Sequence, residues 1–309
     1  MRRRPLARRE GVALLLTVLI VSLLTITVFD QFHQSWIQSS LAAAYRDETK
    51  ALFAARSGQE AARLILTEDA TAAIPSDALN EEWAQTGIPL PIDGTFAFIA
   101  IADEAGKVNL NEMVTGRGYA NDRQVELFSR LLDRLDLDPS LAGALLDWLD
   151  ENAEPSPGGA EDGYYRSLTP PHASKNARLD SLDELALVRG FTPEVIAALR
   201  PHVTVWGGDK ININTATPMA LRALSDRITE AMVEAILTAR AERPFASREQ
   251  IRAIPGMEDI YGEIALLMDT RSDTFSVTTT ATFDETGSSI FAVYRRSQSG
   301  AAPLFYKVL

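Results

Sequence analysis

The chain has no cysteine and only three histidines among 309 residues. Without cysteine there is no disulfide framework, no thiolate metal site and no cysteine nucleophile. Positive charge is also scarce, because 30 Lys and Arg face 42 Asp and Glu for a net charge of −12. Such a chain repels nucleic acid phosphates and suits a hard cation such as Ca²⁺ or a basic protein partner. Its length allows two domains, and 46% hydrophobic residues can form real cores.

Motifs of common enzyme classes are missing from the sequence as well. The histidines His33, His172 and His202 are scattered, and there is no HExxH, no GxSxG and no glycine-rich phosphate loop after a strand. We therefore expect no enzyme activity. One alternative stays open: an exported hydrolase using Asp150 would need a raised pKa on one acid and a cleft beside it.

A long uncharged run near the start extends from Val12 to Phe29 and begins VALLLTVLIV. As a helix it is ~27 Å long at ~1.5 Å per residue, close to the thickness of a bilayer hydrocarbon core. Five arginines precede it, which predicts that this end stays in the cytoplasm and that the chain after Asp30 lies outside. Three fates are possible: a secretory signal cut after Ala44, an uncleaved anchor, or a cut after Gly11 that keeps the helix.

The start REGVALLLTVLIV resembles the leader of type IV pilin-like proteins. The resemblance implies that a prepilin peptidase cuts after Gly11 and that the new first residue, Val12, is N-methylated. Most members carry glutamate at the fifth mature position, which is Leu16 here. The minor pseudopilin K family of type II secretion systems characteristically lacks that glutamate, which suits a tip subunit with no partner above it.

The helix is predicted to continue far beyond the apolar run, because residues 30–67 contain no proline and one glycine. A single helix from Val12 to about Leu66 would be ~80 Å long at ~1.5 Å per residue. An anchor followed by an independent helix has a similar local sequence. One face of the helix carries Phe29, Phe32 and Trp36. A second, mixed face carries Leu52, Ala55, Gln59, Ala62 and Leu66.

Two segments far apart in the chain read as β-hairpins. After a loop marked by Pro75, Pro89 and Pro91, TFAFIAIADEAGKVNLNEM alternates around a predicted turn at residues 104–106. DTFSVTTTATFDETGSSIFAVYRRS alternates around a predicted turn at residues 285–288, and PLFYKVL adds a further strand. Neither hairpin is expected to be stable alone, so strands from both ends should form one sheet against the long helix.

Residues 121–271, between these hairpins, have a helical pattern, with helix starts at Thr192-Pro193 and Thr217-Pro218. The repeated short helix pairs resemble helix-hairpin-helix (SAM-like) units. The phrase ININTATPMALRAL is similar to the opening of DNA-binding helix-hairpin-helix domains of competence proteins. This resemblance implies the alternative function, a membrane-anchored DNA-uptake protein.

The hairpin that would hold DNA has unsuitable chemistry. Phosphate contact needs glycines for close backbone approach and positive side chains nearby. In LSDRITEAMVEAIL, Asp226, Arg227 and Thr229 stand where the glycines are expected, and acidic residues crowd the region. We therefore expect an architectural scaffold that binds no nucleic acid.

The acidic loop, residues 145–165 with the sequence LLDWLDENAEPSPGGAEDGYY, places many carboxylates around a tight turn. Such a loop can supply the six to eight oxygen ligands that Ca²⁺ prefers, and a solvated acidic loop is an equal alternative. DWLDEN, GGAEDGYY and KNARLDSLDEL resemble stretches of the pseudopilin K family, whose members hold calcium in this insert. The resemblance implies a structural Ca²⁺ site with the ligands Asp147, Asp150, Glu161, Asp162 and, more weakly, Asn176.

The combined pattern predicts an α+β fold, in which a pilin-like long N-terminal helix packs on a small antiparallel sheet that carries a large all-α insert. The predicted segments are a leader (1–11), a transmembrane helix part (12–30), a pilin-like domain (31–120), the helical insert (121–271) and C-terminal strands (272–309). By resemblance, the chain is a tip pseudopilin of the bacterial inner membrane, mostly periplasmic. Its implied partners are the prepilin peptidase and the minor pseudopilins I and J.

Overall fold

A computed structural model describes residues 7–72, 76–85, 87–92 and 94–309. Helix α1 extends from Ala7 to Thr71 without a break, which confirms the predicted continuous helix. Every side chain from Gly11 to Ala42 is exposed, and regular burial begins only near Asp47. The helix therefore has a free first half and a second half that belongs to a globular head. Most of the predicted leader, residues 1–6, lies outside the described residues, and so does Pro75 of the predicted loop.

The head contains a five-stranded antiparallel sheet in the order β1-β2-β7-β8-β9. Its strands are β1 (Ile88–Ile92), β2 (Thr95–Asp103), β7 (Thr274–Phe283), β8 (Thr286–Ser297) and β9 (Gly300–Val308). Strands from the two ends of the chain meet where β2 pairs with β7, for example Ile99 with Thr279. This pairing confirms the predicted shared sheet against the long helix, and β9 confirms the predicted last strand.

The two hairpin predictions have different outcomes. The β7–β8 hairpin is present and closes at the pair Phe283 and Thr286, one or two residues before the predicted turn. The predicted hairpin with a turn at residues 104–106 is wrong. Strand β2 ends at Asp103, and the next strand, β3 (Val108–Asn109), pairs in parallel with β4 (Val203–Thr204). Both edges of β2 are already occupied by β1 and β7, so no place remains for a hairpin partner.

Strand β1 corrects the prediction of a loop at Pro89 and Pro91. Proline has no backbone N–H, so it is excluded from central strands but tolerated at the edge of a sheet. Strand β1 is an edge strand that pairs only with β2, with Pro89 opposite Phe98 and Pro91 opposite Phe96. The prolines therefore mark an edge rather than a loop.

The second half of α1 packs on the sheet through the predicted mixed face. Ala55, Gln59, Ala62 and Leu66 are buried, because positions three or four residues apart share one side of a helix. Gly58 lets the helix approach closely, since a Cβ atom there would lie 3.2 Å from the Cβ of Ala97. These contacts place the helix directly on β2, β7 and β8.

Gln59 is the polar connection within this apolar contact. Its amide nitrogen donates to the carbonyl oxygens of Val277 (3.1 Å) and Ile290 (3.1 Å) and to the Thr279 hydroxyl (3.2 Å). The Tyr294 hydroxyl donates to its amide oxygen at 3.1 Å. A single buried side chain thus joins α1 to two adjacent strands.

Replacing Gln59 by alanine should lower the free energy of unfolding by about 2–3 kcal/mol, because buried partners lose their hydrogen bonds. The matched control is Gln34→Ala on the exposed half of the same helix, where Gln34 bonds only to Asp30. Denaturant unfolding of the full chain in detergent micelles measures both. Equal midpoints for the two variants would contradict this role of Gln59.

The helical insert follows β3 and has its own hydrophobic core, separate from the helix–sheet core. Its helices are α2 (Asp122–Arg134), α3 (Ser140–Leu149), α4 (Asp162–Arg166), α5 (Pro193–Leu199), α6 (Pro218–Ala223), α7 (Glu230–Glu242) and α8 (Tyr261–Ile264). Thr192 and Thr217 cap α5 and α6 by accepting from the N–H groups of Val195 and Ala220, as predicted. Strands β5 (Ile211–Asn212) and β6 (Met268–Asp269) pair in parallel beside the sheet.

Candidate functional site

The first half of α1 is one candidate site. It is the one helix among the described residues that is long and apolar enough to cross a membrane, with a mean hydropathy of 2.8 over its best window and none of that window buried. Gly11, Val12 and Leu16 all lie in its opening turns. Among the described residues, no neighbouring atom lies within 4 Å of a Cβ built on Gly11, so a side chain at this position would meet open space. The segment fits a single-pass anchor.

The acidic loop is the second candidate site, and the fold brings four of its predicted residues together. Asp147 lies on α3 and is fully buried, Asp150 caps the end of that helix, and Glu161 precedes α4. Asn176 reaches the same place because its backbone N–H donates to the carbonyl of Trp148 at 3.0 Å. Its φ of 49° is left-handed, a conformation that asparagine tolerates better than most residues.

Three oxygens in this group have no hydrogen-bond partner among the described residues. They are Asp150 Oδ1, Glu161 Oε1 and Asn176 Oδ1, and all three are buried. A buried polar atom without a partner costs about 1–3 kcal/mol, so nearly all such atoms in folded proteins are paired. Three of the five predicted ligands therefore each have a buried oxygen that no described residue engages, and the indole N–H of Trp148 beside them is unpaired as well.

The carboxylates of the loop also influence one another. Burial raises the pKa of Glu161, and the nearby carboxylates of Asp147, Asp150 and Asp162 raise it further. Burial also raises the pKa of Asp150, with Asp147 adding to the effect. Asp147 itself accepts from the backbone N–H of Ser156 at 2.9 Å. Among the described residues, Asp147, Asp150 and Glu161 form no salt bridge, whereas Asp162 pairs with Arg166.

Asp162 differs from the other predicted ligands, because its side-chain oxygens are already engaged. Oδ1 accepts from the N–H and the hydroxyl of Ser174, both at 2.9 Å, and Oδ2 accepts from Arg166 at 2.7 Å. These bonds, those of Ser174 first, lower the pKa of Asp162. Its side chain holds the segment before Asn176 in place, so its carboxylate has little capacity left for an ion.

A second acidic group lies away from the loop and has no sequence signal. Oxygens of Asp69, Asp77 and Glu81 converge within 4.8 Å of one another. The guanidinium of Arg296 already bridges Asp69 and Asp77, so this group contains its own cation. The three acids are close in the chain, but their partner Arg296 comes from β8, 227 residues after Asp69, so no local sequence pattern indicates the charge-paired cluster.

A buried network around Asp103 connects the sheet to the insert. Asp103 Oδ2 accepts from Thr215 Oγ1 (2.5 Å), Ser272 Oγ (2.6 Å) and Asn212 Nδ2 (3.1 Å), and Oδ1 accepts from the N–H of Ala105 (2.8 Å). Asn212 and Thr215 belong to the phrase that resembles a DNA-binding opening. Here they serve internal contacts.

The residues that stand where a DNA-binding hairpin would have glycines are also engaged internally. Asp226 pairs with Arg134 at 2.8 Å, Arg227 donates to the carbonyl of Asp259, and Thr229 caps α7. The turn at Gly256 faces the Met232 side chain rather than open space. This geometry is not typical of a phosphate site, which needs free N–H groups and free positive charge.

Comparison with known proteins gives a consistent result along the chain. Two family models, both described as type II secretion system protein K, match residues 106–208 and 211–267, which together make up more than half of the chain. A type II secretion system protein K from Klebsiella pneumoniae is 28% identical over 265 residues, covering 81% of each chain. One from Aeromonas hydrophila is 26% identical over 322 aligned positions, covering 95% of each chain.

A solved structure has the same fold. A chain from the crystal structure of the GspK-GspI-GspJ complex of enterotoxigenic Escherichia coli superposes with a TM-score of 0.76 at 20% identity. The match covers 87% of this chain and 99% of that one. The long helix, the antiparallel sheet and the insert therefore form one known arrangement.

Proposed function

The chain belongs to the type II secretion system protein K family, and from this premise we propose that it is the minor pseudopilin at the tip of the secretion pseudopilus. It initiates or caps that assembly, which serves protein export across the outer membrane. The first half of α1 anchors it in the bacterial inner membrane, and the head lies in the periplasm. Its partners are the minor pseudopilins I and J, since the solved relative is in complex with GspI and GspJ.

The observation that carries this proposal is the exposed, apolar first half of a single 65-residue helix on a head that contains the family's insert. Every residue of this helix from Gly11 to Ala42 is left exposed by the described part of the chain, so its apolar side chains need an environment outside the chain. Membrane and fibre core are the two environments that a pseudopilin occupies in turn. Leu16 at the fifth mature position lacks the acid that would pair with a neighbour's amino terminus, as expected for a terminal subunit.

The insert is proposed to be a scaffold of helix-hairpin-helix, SAM-like units. Support comes from successive short helices with capped starts, such as α6 and α7 with Thr217 and Thr229 as caps. The same proposal divides the chain into the transmembrane part of the helix (12–30), the first part of the pilin-like domain (31–120), the helical insert (121–271) and the C-terminal strands (272–309). The DNA-uptake alternative gains no support from the family matches, which all describe secretion system components.

We also propose that the acidic loop holds a structural Ca²⁺ ion. The unpaired buried oxygens of Asp150, Glu161 and Asn176, together with Asp147, supply the hard oxygen ligands that Ca²⁺ prefers. Bound there, the ion would supply the positive charge that the cluster lacks. Side chains of the protein fix the loop between α3 and α4, and Asp162 contributes by accepting a hydrogen bond from the N–H of Ser174.

Processing at the amino terminus tests the proposal most directly. We expect the mature chain, recovered from membranes, to begin at Val12 with one added methyl group only when the prepilin peptidase is present. Gly11→Leu should block the cut without disturbing the head, because Gly11 has open space around it. Ala13→Ser is the matched control and should be cut normally. Intact mass and amino-terminal sequencing measure both, and a cut near Ala44, or none, would contradict the proposal.

A further inference from the structure

Three large aromatic side chains lie on α1 at the end of the apolar run and just beyond it, and nothing in the described head covers them. Phe29, Phe32 and Trp36 are 73%, 72% and 61% exposed. Their spacing of three and four residues places them on one face of the helix. Phe29 is the last residue of the charge-free run, and Phe32 and Trp36 continue its aromatic face into the polar segment that follows. We call these three residues the aromatic collar.

The position of the collar along the helix identifies its surroundings. At about 1.5 Å per residue, Phe29, Phe32 and Trp36 lie roughly 26, 30 and 36 Å from Val12. A bilayer has a hydrocarbon core about 30 Å thick and measures about 40–45 Å with its headgroups. With Val12 at the cytoplasmic boundary, Phe32 therefore lies at the outer boundary of the core and Trp36 lies among the headgroups.

The neighbouring residues have the chemistry of that layer. Asp30 is the first charged residue after the run, and its carboxylate accepts from Gln34 at 3.0 Å, so it is partly satisfied within the helix. Trp36 has an apolar ring and one N–H donor, a combination that prefers the membrane–water boundary. The head begins only at Asp47, about 16 Å beyond Trp36 at the same rise, so it does not shield the collar.

We infer that the aromatic collar is a membrane-interface contact that seats α1 at a fixed depth in the periplasmic leaflet, with lipid headgroups and upper acyl chains as its occupant. This surface is continuous with the membrane-spanning run, so the inference rests on the proposed anchor. Packing of the collar against the helix of a neighbouring subunit is the competing outcome.

The test uses the full chain reconstituted at low density in phosphatidylcholine vesicles. The vesicles carry bromine either near the headgroup end or near the methyl end of the acyl chain, because bromine quenches tryptophan emission on contact. The other tryptophans, Trp83, Trp148 and Trp206, lie in the head and are buried or half-buried. The difference in bromine quenching between the wild type and Trp36→Phe therefore reports on Trp36 alone.

Two double variants place the tryptophan at other positions along the same helix, so that quenching can be compared at three depths. Tyr45 is 73% exposed on the same helix and lies about 14 Å beyond Trp36. Trp36→Phe with Tyr45→Trp should show no quenching, and Trp36→Phe with Phe32→Trp should show stronger quenching by deep bromine than the wild type. We expect Trp36 to lose emission mainly to shallow bromine and to emit at shorter wavelength in vesicles than in solution.

The outcomes separate this inference from the proposed function. If the chain floats with the vesicles while Trp36 stays unquenched by bromine and open to acrylamide, the anchor stands and the collar inference is wrong. Protection of Trp36 from both quenchers would indicate helix–helix packing and would also overturn it. If the chain does not float with vesicles at all, the proposed anchor fails and the collar inference fails with it.

Discussion

Replacing Asp103 by alanine is expected to lower the free energy of unfolding by about 3 kcal/mol, because several buried donors lose their shared acceptor. The hydroxyls of Thr215 and Ser272 and the amide of Asn212 all donate to its carboxylate. These partners belong to the insert and to the segment that leads into β7, so the loss loosens the junction between insert and sheet. Denaturant unfolding of the full chain in detergent micelles measures the effect.

The control for this variant is Asp259→Asn, an exposed acid in the insert, which should leave the midpoint unchanged. Asp103→Asn gives a second, independent test through the pH dependence of the free energy of unfolding. Burial raises the pKa of Asp103, while the bonds from Ser272, Thr215, Ala105 and Asn212 lower it in part. The folded state therefore favours the protonated acid more than the unfolded state does.

The sign of the pH dependence follows from this raised pKa. The stabilising contribution of protonated Asp103 is complete below the ordinary pKa of an aspartate and is lost as the pH rises through the raised folded value. Asp103→Asn cannot titrate, so it should flatten this part of the profile of unfolding free energy against pH. An unchanged slope, or an unchanged midpoint in Asp103→Ala, would show that the network does not stabilise the junction.

Local patterns were sufficient for some parts of the fold and not for others. The α1 helix and the β7–β8 hairpin follow from periodicity within one continuous segment, which is why both predictions are confirmed. The hairpin predicted around residue 105 is wrong because β2 takes its partners from β1 and from β7, about 180 residues further along. Alternation predicts a strand, but it does not determine which strand lies beside it.

The same distinction separates the two polar clusters. Asp147, Asp150 and Glu161 fall within one short segment, where residue types alone leave a calcium site and a solvated acidic loop equally open. The family resemblance, and not the spacing, implies these residues as a ligand set. The Asp103 network joins positions 103, 212, 215 and 272, and no local pattern connects residues so far apart. Asn212 and Thr215 lie within the sequence phrase that resembles the start of a DNA-binding domain. Their structural role is seen only from their contacts in the folded chain.

Adding Ca²⁺ to the metal-free chain is expected to raise its stability substantially. An ion that binds only the folded state at about 100 times its dissociation constant adds about 2.7 kcal/mol. For a chain of this size that corresponds to a rise in melting temperature of roughly 5–10 °C. Mg²⁺ should act much more weakly, because it demands a small octahedral site and keeps its water ligands.

Asp150→Asn should produce two opposite changes if the acidic loop is the site. The calcium-dependent rise should be lost, because a ligand charge is removed. When a chelator has removed the calcium, Asp150→Asn should be at least as stable as the wild type, because the buried side chain at position 150 no longer carries a charge beside Asp147. Glu154→Gln changes an exposed acid of the same loop and should keep the full calcium response. A site elsewhere would leave Asp150→Asn with the wild-type response.

The pH dependence of binding follows from the same cluster. Protons compete with calcium for Asp150 and Glu161, whose pKa values are raised by burial and by neighbouring carboxylates. Calcium affinity should therefore be highest at pH values above both raised pKa values. It should fall as the pH drops through them, and this fall should occur at a higher pH than for carboxylates with ordinary pKa values. Trp148 follows Asp147 in the chain, and its ring lies 5.0 Å from that of Tyr165. The emission that the wild type has and Trp148→Phe lacks therefore reports binding at this loop. Calcium that stabilises the chain without changing this signal would bind elsewhere, because Trp148 adjoins Asp147 and its carbonyl accepts from the N–H of Asn176, both predicted ligands.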